Sequence, residues 1–288
     1  MIETNKVYEM EALELLKQLP DNSIDLVLTD PPYNINKADW DNFENYLEWC
    51  ENWLEECKRV LKPNGSIYVF ASYYWVSYLS VIMDKKFKLI NWIIWNYRSG
   101  FGVRTKWASR YEPILFYVMN EKNYTFNLDE VRIPHRCPDK RNNPIGRNPT
   151  DVWDIERISG NYKERTKHPT QKPLEVIKRI IQASSNKGEI ILDCFGGSGT
   201  TAVACKELGR NFICSDINEE YVKIANSRLS ETAPVVTLAS PTFPTEKAIN
   251  KDLKVSATPT PKEFPSEIPS LNPDIMRNFC LRKNSKVR

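Results

Sequence analysis

The sequence predicts an α/β protein built on a doubly wound, mostly parallel sheet. Apolar, β-branched runs alternate with stretches of helical period, the pattern of strands covered by helices on both faces. One such run passes through a glycine-rich turn, Gly196-Gly197-Ser198-Gly199, directly into a helical stretch. A second run ends abruptly on Asp30-Pro31-Pro32-Tyr33, where the prolines force the chain out of a strand.

Taken in order, Ile24 to Thr29 reads as a buried strand. Asp41 to Leu61 carries Phe43, Leu47, Cys50, Leu54, Cys57 and Leu61 at steps of four and three, an amphipathic helix stopped by Pro63-Asn64-Gly65. Ser66 to Phe70 is the next strand, and Leu89 to Trp95 and Pro113 to Val118 are two more. From Asn120 to Lys167 periodicity fades among Pro134, Pro138, Pro144 and Pro149, which marks a functional insertion. Order returns with a helix from Pro173 to about Ser185, then a strand Glu189–Asp193 and a helix Thr201–Leu208. A strand Asn211–Asp216 and a helix Glu219–Leu229 complete the alternation. The last 58 residues hold eight prolines and no glycine, the composition of a flexible tail. The expected organisation is therefore a first half over 1–97, an insertion over 98–167 whose strand 112–119 belongs to the core, a second half over 168–230, and a tail over 231–288.

Bulk properties exclude several classes. No apolar run is long enough to span a bilayer, and the N-terminal residues carry no basic and apolar leader, so a cytoplasmic protein is expected. The seven cysteines include no C-x-x-C pair, and Cys50, Cys57, Cys194, Cys205 and Cys214 fall on apolar stretches, which predicts reduced core thiols. His135 and His168 are too few and too distant for a zinc site, so no metal is expected. The net charge is only +3, yet residues 98–172 hold fifteen Lys and Arg against nine Asp and Glu. A basic segment inside a near-neutral chain suits a phosphate-facing surface.

Two constellations carry chemistry. In Asp193-Cys194-Phe195-Gly196-Gly197-Ser198-Gly199-Thr200 a strand ends, glycines turn the backbone and a helix begins, which lets a ligand approach the main chain. Asp216 closes the following strand, where a carboxylate accepts from both ribose hydroxyls of an adenosine. Gly197, Gly199 and Ala202 also fit G-x-G-x-x-A, so a nicotinamide-dependent oxidoreductase stays open on this loop alone. The second constellation separates the readings. Asp30-Pro31-Pro32-Tyr33 sets a carboxylate, a rigid carbonyl and an aromatic ring at a strand end. An exocyclic base amine is a poor nucleophile, and hydrogen bonds from it to a carboxylate and a fixed carbonyl favour the ammonium that develops. Tyr33 offers a stacking face for a base turned out of the duplex.

Together the tetrapeptide and the F-x-G-x-G-T loop resemble the bacterial DNA amino-methyltransferases of restriction–modification systems. The order, catalytic motif first and cofactor loop last, is similar to that of the β group, as is His168-Pro169-Thr170-Gln171-Lys172-Pro173 between them. The resemblance covers roughly Asn5 to Leu229. It implies the class I S-adenosylmethionine-dependent fold, with seven strands and permuted motif order, and it implies S-adenosylmethionine as cofactor. The strands before Asp30 and before Phe195 are then neighbours. Phe195, Gly197 and Gly199 line the methionine end, with Asp193, Ser198 and Thr200 in the same loop, and Asp216 holds the ribose. Thr170 and Lys172 lie near the methionine carboxylate. Glu11 stands where relatives carry Asp after Gly against the cofactor adenine, and Cys194 where many carry Pro. Arg104, Lys106, Arg110, Arg136, Arg141 and Arg147 of the insertion become candidate contacts to duplex DNA, and 34–40 a loop closing over the flipped base. Asp-Pro-Pro-Tyr is typical of adenine-N6 enzymes, with cytosine-N4 methylation the alternative. A companion restriction endonuclease and a monomer or homodimer fit the same resemblance.

Overall fold

The computed structural model describes residues 2–37, 40–98, 102, 104–135, 141–160 and 162–233. Arg136 and nearly all of the expected tail lie outside the described residues. The elements are β1 (Lys6–Glu9), α1 (Ala12–Lys17), β2 (Ile24–Thr29), α2 (Tyr46–Val60), β3 (Leu61–Phe70), α3 (Val76–Asp84), β4 (Lys88–Asn96), β5 (Tyr111–Val118), β6 (Val152–Asp154), α4 (Leu174–Ser184), β7 (Ile190–Asp193), α5 (Thr200–Leu208), β8 (Asn211–Asp216) and α6 (Glu219–Glu231).

The strands form one sheet in the order β1-β8-β7-β2-β3-β5-β4-β6. It has eight strands among the described residues, one more than the resemblance implied. The three-residue β6 is a short edge strand drawn from the irregular insertion, parallel to β4. Trp153 of β6 is buried, and the Trp95 indole N–H donates to Ile155 O at 2.7 Å, so this part of the 98–167 stretch is built into the core. All pairings are parallel except those of β5, which runs antiparallel to β3 and β4.

Side chains alternate across the sheet because a strand has a period of two. Val27, Ile67 and Val69 face the layer of α1, α2 and α3, where Leu15, Leu16, Trp53, Leu54 and Leu79 are fully buried. Leu26, Leu28, Tyr68 and Phe70 face the layer of α4 and α5. There Ile177, Ile180 and Ile181 each contribute about 2 kcal/mol by leaving water. The five described cysteines, Cys50, Cys57, Cys194, Cys205 and Cys214, are buried free thiols of these layers, as expected.

Two boundaries differ from the sequence reading. The helix predicted from Asp41 starts at Tyr46, because Asp41 is committed to the loop before it, as described below. Pro63-Asn64-Gly65 lies within β3 rather than in a loop. The register jumps from Ile24 opposite Leu61 to Leu26 opposite Ser66, so a bulge absorbs the proline and glycine without ending the strand.

Candidate active site

Two parallel neighbours make the site. Leu26 stands opposite Ile191 and Val27 opposite Leu192, so β2 and β7 deliver Asp30 and Phe195 to the same sheet edge. From here the chain winds outward through β3 on one side and β8 on the other, the switch point at which open α/β sheets bind ligands. The expected juxtaposition of the two motifs is present. A cavity of about 890 Å³ opens there, bounded by Asp30–Tyr33, Phe195–Ser198, Asp216 and His168–Lys172.

Asp193 ties the strand ends together. Its carboxylate accepts from Thr29 Oγ1 at 2.9 Å, Thr201 Oγ1 at 2.6 Å and the Phe195 N–H at 3.2 Å. Burial nevertheless pushes its carboxyl up to about 6. It lines the cavity, but these bonds run to the protein itself.

The glycine turn is demanded by close approach. Gly197 has φ 51° and Gly199 φ 74°, the left-handed region. A Cβ on Gly197 would lie 2.9 Å from His168 Nε2, and one on Gly199 would lie 2.5 Å from Ala225 Cβ of α6. The Gly197 N–H donates to Asp216 Oδ2 at 2.9 Å and the Asn218 N–H to Asp216 Oδ1 at 2.8 Å. Burial raises the Asp216 carboxyl despite these bonds. Each oxygen keeps further acceptor capacity toward the cavity. Because Glu9 of β1 is paired with Asp216 of β8, Glu11 follows at the adjacent strand end and also lines the cavity. Its carboxylate caps α1 by accepting from the Glu14 N–H at 3.1 Å.

At the other end of the cavity, Asp30 Oδ1 accepts from the Tyr33 hydroxyl at 2.7 Å and Oδ2 from Lys172 Nζ at 2.6 Å. The same Lys172 ammonium lies 3.2 Å from Glu112 Oε2, and the Tyr33 hydroxyl 3.1 Å from that oxygen. Burial would lower the Lys172 ammonium, but Asp30 and Glu112 outweigh it and raise it. Burial, then Asp30 and Glu112, hold the Tyr33 phenol well above its ordinary range, so it stays a proton donor. The resemblance put Lys172 near the methionine carboxylate. In the structure its ammonium faces the catalytic motif, where two carboxylates converge on a side chain only 8% exposed. Thr170 is at the cavity wall, where its N–H donates to His168 Nδ1 at 3.3 Å.

The loop after the tetrapeptide is braced. Asp41, 1% exposed, accepts from the N–H groups of Asn34 at 2.5 Å, Ile35 at 3.1 Å and Lys37 at 3.0 Å. Asn34 and Asn36 supply left-handed φ values of 51° and 57° that turn those N–H groups inward. The Tyr46 hydroxyl donates to Pro32 O at 2.8 Å, fixing the second proline from α2.

The sequence model of the DNA methylase family matches residues 24–227. The chain is 44% identical over 225 residues to the type II methyltransferase M.HpaI of Haemophilus parainfluenzae, covering 76% of this chain and 72% of that protein. It is 40% identical over 248 residues to the DNA adenine methyltransferase YhdJ of Escherichia coli strain K12, covering 79% and 83%. Among solved structures, the M1.HpyAVI–SAM complex aligns with TM-score 0.57 and 28% identity over 77% of this chain and 98% of that one.

The chain belongs to the DNA methylase family.

For a methylase, the nicotinamide reading of the glycine loop falls away, since the match takes in both the tetrapeptide and the loop. Several residues of its site carry no local sequence signal. Glu112 is the second residue of β5, and it reaches the site because β5 is antiparallel, which brings its first residues to the carboxyl end of β3. Arg228 of α6 donates to Ser198 O at 2.7 Å, Ser198 Oγ at 3.1 Å and Thr200 Oγ1 at 2.9 Å, so those two hydroxyls brace the loop against α6. Thr29 and Thr201 hold Asp193 by their hydroxyls and also line the cavity.

The expected DNA contacts of the methylase divide. Arg104, Lys106, Arg110 and Arg141 are exposed. Arg147 is half-buried, and its backbone exchanges both bonds with Ile133 while its Nε donates to Pro134 O at 3.3 Å. Between the basic residues stands Trp107, 96% exposed, and Ser109 and Tyr111 of the same segment line the cavity. No described helix is long and apolar enough to cross a membrane.

Proposed function

We propose that this methylase transfers a methyl group from S-adenosylmethionine to the N6 amino group of adenine in duplex DNA, with the base flipped into the cavity. The single observation that carries the reading is the shared sheet edge. Asp30-Pro31-Pro32-Tyr33 and the Phe195–Thr200 loop open into one cavity, large enough for a nucleoside-sized cofactor beside a base. The residues fit the cofactor. Asp216 offers acceptor lone pairs for ribose hydroxyls, Glu11 stands at the next strand end, and the turn at Gly197 lets a ligand reach backbone N–H groups. When bound, S-adenosylmethionine supplies an electrophilic methyl group on its sulfonium.

The chain's own residues do the rest. Asp30 and the Pro31 carbonyl accept hydrogen bonds from the target amine, which concentrates its lone pair on nitrogen as the N–C bond forms. The surplus amine proton leaves by way of the Asp30 carboxylate to solvent. Proline's fixed φ keeps the Pro31 carbonyl in place before reaction, so catalysis is positioning and electrostatics. Tyr33, Tyr73, Tyr97 and Tyr111 at the cavity provide faces on which an unstacked base can rest. Arg104, Lys106, Arg110 and Arg141 contact phosphates, and Trp107 stacks on bases at the rim. Adenine is favoured by Asp rather than Ser at position 30 and by the name of the E. coli relative.

Asp30→Ala tests the assignment. Methyl transfer should fall by at least about 100-fold, the size of one removed transition-state contact, while S-adenosylmethionine binding measured by calorimetry persists. Full activity in that variant would refute the role of the carboxylate.

A further inference from the structure

The methylase chemistry accounts for Asp30, Pro31 and Tyr33, but it leaves the ion pair of buried Lys172 with half-buried Glu112 without a task. We propose that Lys172 and Glu112 are positioning residues that set the charge and orientation of Asp30, Lys172 by bridging two half-buried carboxylates at the cavity wall. The inference rests on the reading that Asp30 receives the target amine.

The geometry carries the inference. One ammonium spans Asp30 Oδ2 at 2.6 Å and Glu112 Oε2 at 3.2 Å, and one phenol spans Asp30 Oδ1 at 2.7 Å and Glu112 Oε2 at 3.1 Å. A single hydroxyl proton serves one acceptor at a time, so Tyr33 cannot separate the two carboxylates electrostatically. Lys172 can. Its ammonium also lies 5.4 Å from the Tyr33 ring centroid and 5.2 Å from that of Phe70, faces that hold a cation in place. With Lys172 between them, the two carboxylates and one ammonium leave a net negative site, which suits a positive charge developing on the amine. Without it, two like charges would face each other with no cation between them, and their repulsion would favour protonation of one. The other titratable groups facing Asp30 are His168, Asp193 of β7 and Tyr46 of α2, and Tyr97 beside Arg157 faces the Glu112 end. All of these stay in place in the variants below.

The test is the pH–rate profile of single-turnover methyl transfer by the full chain, with the fold checked by thermal melting and S-adenosylmethionine binding. Lys172→Met should lose about 100-fold in rate at neutral pH and regain most of it in alkali, because its acidic limb moves to higher pH. Glu112→Gln should move the limb to lower pH. The double variant, with no second carboxylate to repel Asp30, should have a limb near that of the parent and outperform Lys172→Met by about 10-fold at neutral pH. A pH-independent loss in Lys172→Met, with no rescue in the double variant, would reduce the pair to a structural brace and overturn the inference. Should Lys172→Met fail to fold, Glu112→Gln decides alone, since an unmoved limb there contradicts the proposal. Failure of the Asp30 reading itself would show separately, as full activity in Asp30→Ala.

Discussion

His168 shows at the scale of one residue how the site constrains chemistry. It lies against Gly197 and its ring meets Tyr221 edge-on at 4.2 Å. Burial pushes the imidazolium down to about 4, against the pull of Asp30, so the ring is neutral at working pH. With the folded value below the unfolded value of about 6.5, the stability this ring contributes is complete above that pH and is lost as pH falls through about 4. An NMR titration should therefore find the His168 ring protonating near pH 4, and His168→Gln should flatten the acid-side loss of stability. A ring that titrates near 6.5 in the folded protein would mean that it is not packed against the glycine turn. Residues of this kind differ in how legible they are from sequence. Asp30 to Tyr33 are contiguous and their chemistry is self-contained, so they stand out. Lys172 was visible as a motif residue but not as the neighbour of Asp30, because 142 positions separate them. Glu112, Thr29 and Arg228 gain meaning only from contacts that no local pattern encodes.

Among the elements, the turn from β7 into α5 is held from outside by α6. Gly199→Ala would meet two costs, about 1–2 kcal/mol for a left-handed φ and a further ~1–3 kcal/mol for a Cβ driven into Ala225. On an Ala225→Gly background the same substitution should lose only part of the second cost, because the Ala225 Cα still lies 2.9 Å from the added Cβ. Urea denaturation of the parent and the three variants measures the total cost and the part relieved, and a Gly199→Ala protein within about 0.5 kcal/mol of its parent would contradict the packing described. The regular elements were readable wherever burial imposed a period, as in α2, where Cys50, Trp53, Leu54 and Cys57 form one buried stripe. Element ends were less so. The α2 start moved because Asp41 satisfies backbone donors of the 34–37 loop, and β3 absorbed a proline and a glycine because its partner register could slip. The strands β1 and β6, of four and three residues, are too short to carry a readable period; they are defined by the neighbours they pair with.

For the whole molecule, alternation of strand and helix was enough to predict a doubly wound sheet, while the order of its strands had to come from the structure. The antiparallel β5 matters most, since its direction brings Glu112 to the catalytic edge. Basic residues and the exposed Trp107 belong to the segment whose Ser109 and Tyr111 reach the cavity, so the charged surface and the chemistry adjoin. These features fit the proposed transfer of a methyl group to the N6 amine of a flipped adenine. The most direct test is to methylate DNA with labelled S-adenosylmethionine, digest the product to nucleosides and separate them. Label is predicted in N6-methyldeoxyadenosine; label in N4-methyldeoxycytidine, or in no nucleoside, would contradict the assignment.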